Sequence, residues 1–205
     1  MTTETIAEPS IRSKGERTRH RIIGQALELI EEQGIPALSQ EAVARRAGLS
    51  QSALRHHFPM KEDMLAAVFA QVFRPFYHQA EQELLRPQTS PREKLMRLIG
   101  NHIDYVLHAS DRVALESFAH STRDATLLAE QSGWYAWLVE HYAALLGAIH
   151  PTLDEAERKQ RGFALLTLSL GAWISAGRSR PSALWPSPDA ARTALLHQAA
   201  RLIGA

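Results

Sequence analysis

Apolar residues recur along this chain at the three-and-four spacing of an α-helix, and no run alternates as a strand would. The clearest stripe, Ile22, Ile23, Ala26, Leu27, Leu29 and Ile30, predicts a first helix over 13–33, stopped by Gly34. Ser39 and Ser50 are suited to cap two short helices over 40–46 and 51–57. Ala47-Gly48-Leu49 forms the tight connection between them, and Pro59 ends the second. A long fourth helix follows over 61–85, with Pro75 as a kink or break. Ser90-Pro91-Arg92-Glu93 reads as a cap, a first-turn proline and a glutamate completing a capping box, opening a fifth helix to about 109. Asp111 is placed to cap a short sixth helix, and a seventh covers 125–149. Thr152-Leu153-Asp154-Glu155 repeats the capping-box pattern before an eighth helix, and Ser187-Pro188 opens the last, over 188–203. The segment 177–187 reads as a loop rich in proline and serine. The expectation is an all-α chain of about nine helices: a disordered lead over 1–12, a three-helix domain over 13–60 and a larger helical domain over 61–205.

The two short helices carry the most specific pattern. Helices that cross steeply need a small residue at the crossing, supplied by Ala44, and a turn residue tolerant of positive φ, supplied by Gly48 four positions later. Val43, Ala47, Leu49 and Leu54 would pin both helices to the first. This is the spacing of a helix-turn-helix. The outward positions of the second short helix hold Gln51, Ser52, Arg55 and His56 and no acidic residue, as a major-groove reading helix requires. Arg55 suits bidentate pairing with guanine, and Gln51 with adenine.

Charge agrees once it is divided along the chain. The net charge is only +1, yet residues 10–61 hold nine Lys/Arg against five Asp/Glu, or +4, leaving −3 for the remainder. A basic front and an acidic rear fit a protein whose front alone meets phosphate. Lys61 and the helix starts at Ser39, Gln40 and Ser50 offer positioning contacts. Arg12, Lys14, Arg17 and Arg19 form a basic arm, while Arg45 and Arg46 suit either a solvated face or DNA.

Residues 21–65 resemble the DNA-binding region of the tetracycline-repressor (TetR) family. The matching segments are IIGQALELIEEQG, AVARRAGLSQSAL and HHFPMKEDML. The last places His57, Phe58, Lys61, Glu62 and Leu65 where that family has its hallmark. The resemblance implies that His57 points to a phosphate and Phe58 anchors the reading helix. It also implies double-stranded DNA with a palindromic operator as partner, a homodimer, and repression relieved by a small-molecule effector; an activator or an effector-independent regulator is the alternative. Three positions depart from the family: Arg55 stands where many members have tyrosine, Ser52 where many have glycine, and Met60 where many have a serine cap.

The rear half reads as sensor and dimer. Residues 162–177 carry no charge and are apolar nearly all round, too short to span a membrane, so the protein reads as soluble and cytoplasmic. This helix (Phe163, Leu166, Leu170, Ile174) and the last (Ala191, Leu195, Ala199, Ile203) are the expected dimer surface. Gly162, Ser169, Gly171, Ala172 and Ala176 would allow close approach between subunits. Aromatic and polar residues at helical spacing form a candidate effector pocket: Phe69, Phe73, Tyr77, Tyr105, Phe118, Trp134, Trp137, His141 and Trp173, with Phe76 among them. Tryptophans beside Glu116 or Glu140 would suit a cation. No cofactor is expected. Cysteine is absent, and no H-E-x-x-H pair, phosphate loop or G-x-S-x-G elbow occurs, so an enzyme is disfavoured. His102 and His108 read as surface or capping residues.

Overall fold

The computed structural model describes residues 13–109, 111–177 and 187–204. The expected lead over 1–12, Arg12 within it, and most of the expected loop over 177–187 lie outside the described residues. The chain forms two units, Met1–Gln71 and Val72–Ala205.

In the first unit, α1 (Lys14–Gln33) opens with a reciprocal capping box. The Ser13 hydroxyl accepts from Glu16 N–H, and the Glu16 carboxylate accepts from Ser13 N–H at 2.9 Å. Ile22, Ile23, Ala26, Leu29 and Ile30 form its buried stripe. Gly34 takes φ 82°, and its N–H closes the helix on Ile30 O. A 3₁₀ turn over Ile35–Ala37, too short to leave a periodic signature, leads to α2 (Gln40–Arg46) and α3 (Gln51–His57). Lys14, Arg17 and Arg19 are helical, so they stand on the first turns of α1 and do not form an extended arm.

The fourth helix, α4, runs unbroken over Lys61–Leu85. Pro75 does not interrupt it: the proline is exposed, and water can serve the carbonyl it leaves free. The division between units falls inside α4, where the expected boundary lay at its start. Met64, Leu65, Val68 and Phe69 are buried, and by its contacts this opening stretch belongs to the first unit.

In the second unit, α5 (Pro91–His108) touches α7 (Ala125–Ile149), α8 (Glu155–Ser175) and α9 (Pro188–Ile203), while α6 (Asp111–Ser121) packs on α7 and α8. Leu95, Ile99 and Ile103 of α5 meet Leu138, Tyr142 and Leu146 of α7, Leu165 of α8 and Ala199 and Ile203 of α9 in one core. Serines cap α5 and α9 as expected, Ser90 accepting from Glu93 N–H and Ser187 from Ala190 N–H.

Several expectations change here. Asp111 is the first residue of α6 and not its cap. The cap of α8 is Asp154, which accepts from Glu157 N–H, in place of Thr152. The stripe of α9 is spent inside the chain: Ala191, Ala199 and Ile203 are buried, and Leu195 and Leu196 pack on the same core. Most of the small residues of α8 are likewise internal. A Cβ on Gly162 would sit 3.1 Å from Val139 O, so this glycine allows α7 and α8 to meet, and Ser169 and Ala172 are buried.

Glu83 ties α4 to α5. Its enclosed carboxylate accepts paired hydrogen bonds from Arg97 (2.8 and 3.1 Å) and from Arg86 (3.0 and 2.8 Å). The Arg97 bonds lead in holding its pKa down to about 2, against the opposing effect of burial. A depressed carboxylate contributes stability above its unfolded pKa, and that contribution fades as pH falls from about 4.3 toward 2. Glu83→Gln is expected to cost about 1–2 kcal/mol at pH 7, since both arginines can return to water. Urea unfolding should show the deficit shrinking across that acid window.

Candidate nucleic-acid interface and aromatic cavity

The reading head is built from α2, its turn and α3. Val43, Ala44, Ala47 and Leu54 are buried, and Leu49 is half-buried. Gly48 adopts φ +63°, in the left-handed region where a side chain is strained, so glycine is the natural residue here. Ser39 caps α2 on Ala42 N–H, and Ser50 caps α3 on Ala53 N–H while lying 3.0 Å from the Ser52 hydroxyl. Both hydroxyls therefore first serve to set helix direction.

Gln40 does more than open α2. Its side-chain amide donates to Phe58 O (2.8 Å) and Pro59 O (2.9 Å), clasping the start of α2 to the end of α3. Phe58 is fully buried, as expected of an anchor, with the Arg19 guanidinium 4.1 Å from its ring centre. Arg19 also donates to His57 O, which gives this cation a structural role.

What remains outward is Gln51, Ser52, Arg55 and His56, all exposed, with His57 half-buried beside them. Among the described residues, neither Gln51 nor Arg55 has a side-chain partner. Arg46 is taken by Glu32, with two bonds of 2.8 Å, and Arg45 lies 3.7 Å from Glu41. These pairs favour a solvated face over DNA for both. At the start of α4, Asp63 accepts from Met60 N–H, the return half of a capping box whose hydroxyl half Met60 cannot supply, and Lys61 stands half-buried beside it.

In the second unit, the structure brings seven of the ten expected pocket residues around one cavity of about 30 Å³: Phe73, Phe76, Tyr77, Tyr105, Phe118, Trp134 and Trp173. Trp137 and His141 do not line it; they continue a ring stack along α7, with centres 4.4 Å (Trp134–Trp137) and 4.0 Å (Trp137–His141) apart. Phe69 is buried, falls in the first unit and does not line this cavity. His102, Gln131, Tyr135 and Leu170 complete the wall. His102 is buried, contrary to the surface or capping role expected, and burial lowers its pKa to about 4. Its register gave the clue, since it continues the stripe Leu95, Ile99, Val106 on α5, as Gln131 does between Leu127 and Trp134 on α7. Burial raises the Tyr77 phenol to about 12 and moves Tyr105 and Tyr135 upward, so the wall is uncharged at neutral pH. Glu140 does not line this cavity; it pairs with Lys159 at 3.1 Å on an adjoining open groove of about 660 Å³ between α7 and α8, which shares Phe118, Tyr135 and Leu170 with the cavity wall. Glu116 is not part of the wall either.

No described helix is long and apolar enough to cross a membrane. Residues 22–68 match the bacterial regulatory proteins of the tetR family. The HTH-type transcriptional regulator BetI of Escherichia coli (strain SMS-3-5 / SECEC) is 26% identical over 164 residues, spanning 78% of this chain and 83% of that protein. A transcriptional regulator from Rhodococcus sp. Rha1 superposes with TM-score 0.71 at 21% identity, over 90% of this chain and 95% of that one. A regulator from Saccharomonospora viridis, solved in complex with choline, superposes with TM-score 0.65 at 19% identity, over 87% of this chain and 93% of that one.

The geometry of the clasp yields a stability test. Gln40→Ala should cost about 1–2 kcal/mol through its two lost hydrogen bonds, and Gly48→Val at least as much through backbone strain. Denaturant titration of the full chain checks both.

Proposed function

Because the chain is a transcriptional regulator of the TetR family, we propose that it is a repressor that binds a palindromic operator as a homodimer and leaves it when a small molecule occupies the second unit. The observation that carries this is the outward face of α3, where Gln51, Ser52, Arg55 and His56 stand free of any acidic neighbour on that helix. Arg55 and Gln51 read base edges in the major groove. Lys61, His57 and the starts of α2, α3 and α4, at Ser39, Gln40 and Ser50 among them, hold phosphates. That the Saccharomonospora viridis regulator was solved in complex with choline supports a small-molecule ligand. α4 carries Lys61 at its start and Phe73, Phe76 and Tyr77 farther along, so one helix links phosphate contact to cavity wall. Displacing those rings biases α4 between two arrangements, one of which fits DNA.

The dimer face is α8 with α7, since α9 is already covered. Phe163 is 63% exposed and Ile174 62%, beside the groove between α7 and α8. Phe163 and Gly171 each lie four residues from Thr167. In an antiparallel pair with its two-fold axis at Thr167, each Phe163 faces the partner's Gly171, where the space a Cβ would fill is open. Pairing brings two α3 helices to half-sites about 34 Å apart.

Two expected outcomes test this. Arg55→Ala should weaken operator binding by about 1–3 kcal/mol and relax base preference, whereas Lys61→Ala should weaken all duplexes alike and flatten the salt dependence. Binding titrations on matched and mismatched duplexes check both. Phe163→Gly or Gly171→Phe alone should raise the dimer dissociation constant about a hundredfold, and the two together should restore it. A Phe163→Glu chain that sediments as a dimer at low micromolar concentration would exclude this face.

A further inference from the structure

The cavity of the second unit is narrow, about 30 Å³, yet two of its wall residues hold enclosed polar atoms without partners among the described residues: His102 Nδ1 and Trp134 Nε1. An indole N–H can only donate, and leaving it without an acceptor in an apolar interior is costly. Tyr77 and Trp137 stack on Trp134, with ring centres at 4.1 and 4.4 Å. Two rings this near cannot lie side by side over one indole face, so they cover both faces and leave its edge. Phe76 packs against Tyr105 at 5.5 Å and His102 at 4.6 Å and meets Trp134 edge to face at 6.3 Å. The faces of the Trp134 indole that would attract a cation are thus turned toward other rings, and what it keeps is its positive edge with the unpartnered N–H. Among the described residues, no Asp, Glu, Lys or Arg lines the cavity, so an ion entering it would leave water without gaining a counter-charge from them. His102 adds no charge at neutral pH, because burial keeps it unprotonated down to about 4.

The geometry points to an uncharged small molecule with a flat apolar body and a carbonyl or hydroxyl oxygen as the occupant, that oxygen accepting from Trp134 Nε1–H and lying beside His102. This assignment rests on the reading that the second unit takes up an effector. It departs from the cation expected from tryptophans beside Glu116 or Glu140. Anything larger than about a water must part the rings to enter, which couples occupancy to Phe73, Phe76 and Tyr77 on α4.

The test uses the full chain and four probes of similar size: acetophenone, toluene, choline and benzoate. Calorimetry should show acetophenone bound about tenfold more tightly than toluene, with choline and benzoate weaker than either. Trp134→Phe keeps a ring in the stack and should bring acetophenone down to the level of toluene. If that variant does not fold by circular dichroism, the ranking of the four probes on the unaltered chain decides alone. Choline or benzoate binding most tightly, toluene equalling acetophenone, or no probe binding would each overturn the assignment. Operator release, followed by anisotropy with the same probes, separates the two readings. Choline that binds and releases DNA keeps the effector reading and sinks this one. Acetophenone that binds without releasing DNA supports this one and sinks the effector reading.

Discussion

The left-handed backbone at Gly48 is the constraint on which the rest of the reading head depends. At φ +63° it turns the chain from α2 into α3 within the four residues 47–50, so the direction of α3 is fixed by backbone geometry. Gln40 then closes the triangle from the opposite side by holding Phe58 O and Pro59 O, and buried Phe58 seals the end of α3. A recognition helix only two turns long has little stability of its own. These ties allow its side chains to meet bases without ordering the helix at the moment of binding, a cost that would otherwise weaken the complex.

A division of labour among cations follows from the same frame. Arg19 lies over Phe58, Arg46 is forked onto Glu32, and Arg45 stands beside Glu41, so three of the front's basic residues hold or decorate the fold. Arg55 and Lys61 are left to face outward or stand at a helix start. In the second unit the aromatic rings are likewise spent largely on one another, which is why a cavity rich in tryptophan and tyrosine suits a neutral occupant better than a cation. The apolar stripe of α9 closes on α5, whereas Phe163 and Ile174 of α8 stay exposed beside the groove between α7 and α8.

Helix order and most boundaries were legible from caps and stripes, because Ser13, Ser39, Ser50, Ser90 and Ser187 act locally on the first turn that follows each of them. The turn at Gly48 was legible for the same reason. Tertiary context decided what was not. Thr152 and Asp154 are both competent caps, and only the path of the chain selects Asp154. Of the kink or break expected at Pro75, the break does not occur, because its exposed position lets the helix continue. An apolar stripe shows that a helix face is covered without showing by what, so α9 and α8 looked equally free. His102 was misjudged because residue type was weighed above register, although its place on the α5 stripe marked it as buried.

The central claim is that the outward face of α3 reads duplex DNA in pairs. Selection of bound sequences from a random-duplex library by the purified full chain tests it most directly. The account predicts enrichment of an inverted repeat whose half-sites lie about 10 base pairs apart, centre to centre. Recovery of no preferred sequence, even at low ionic strength where phosphate contacts are strongest, would contradict it.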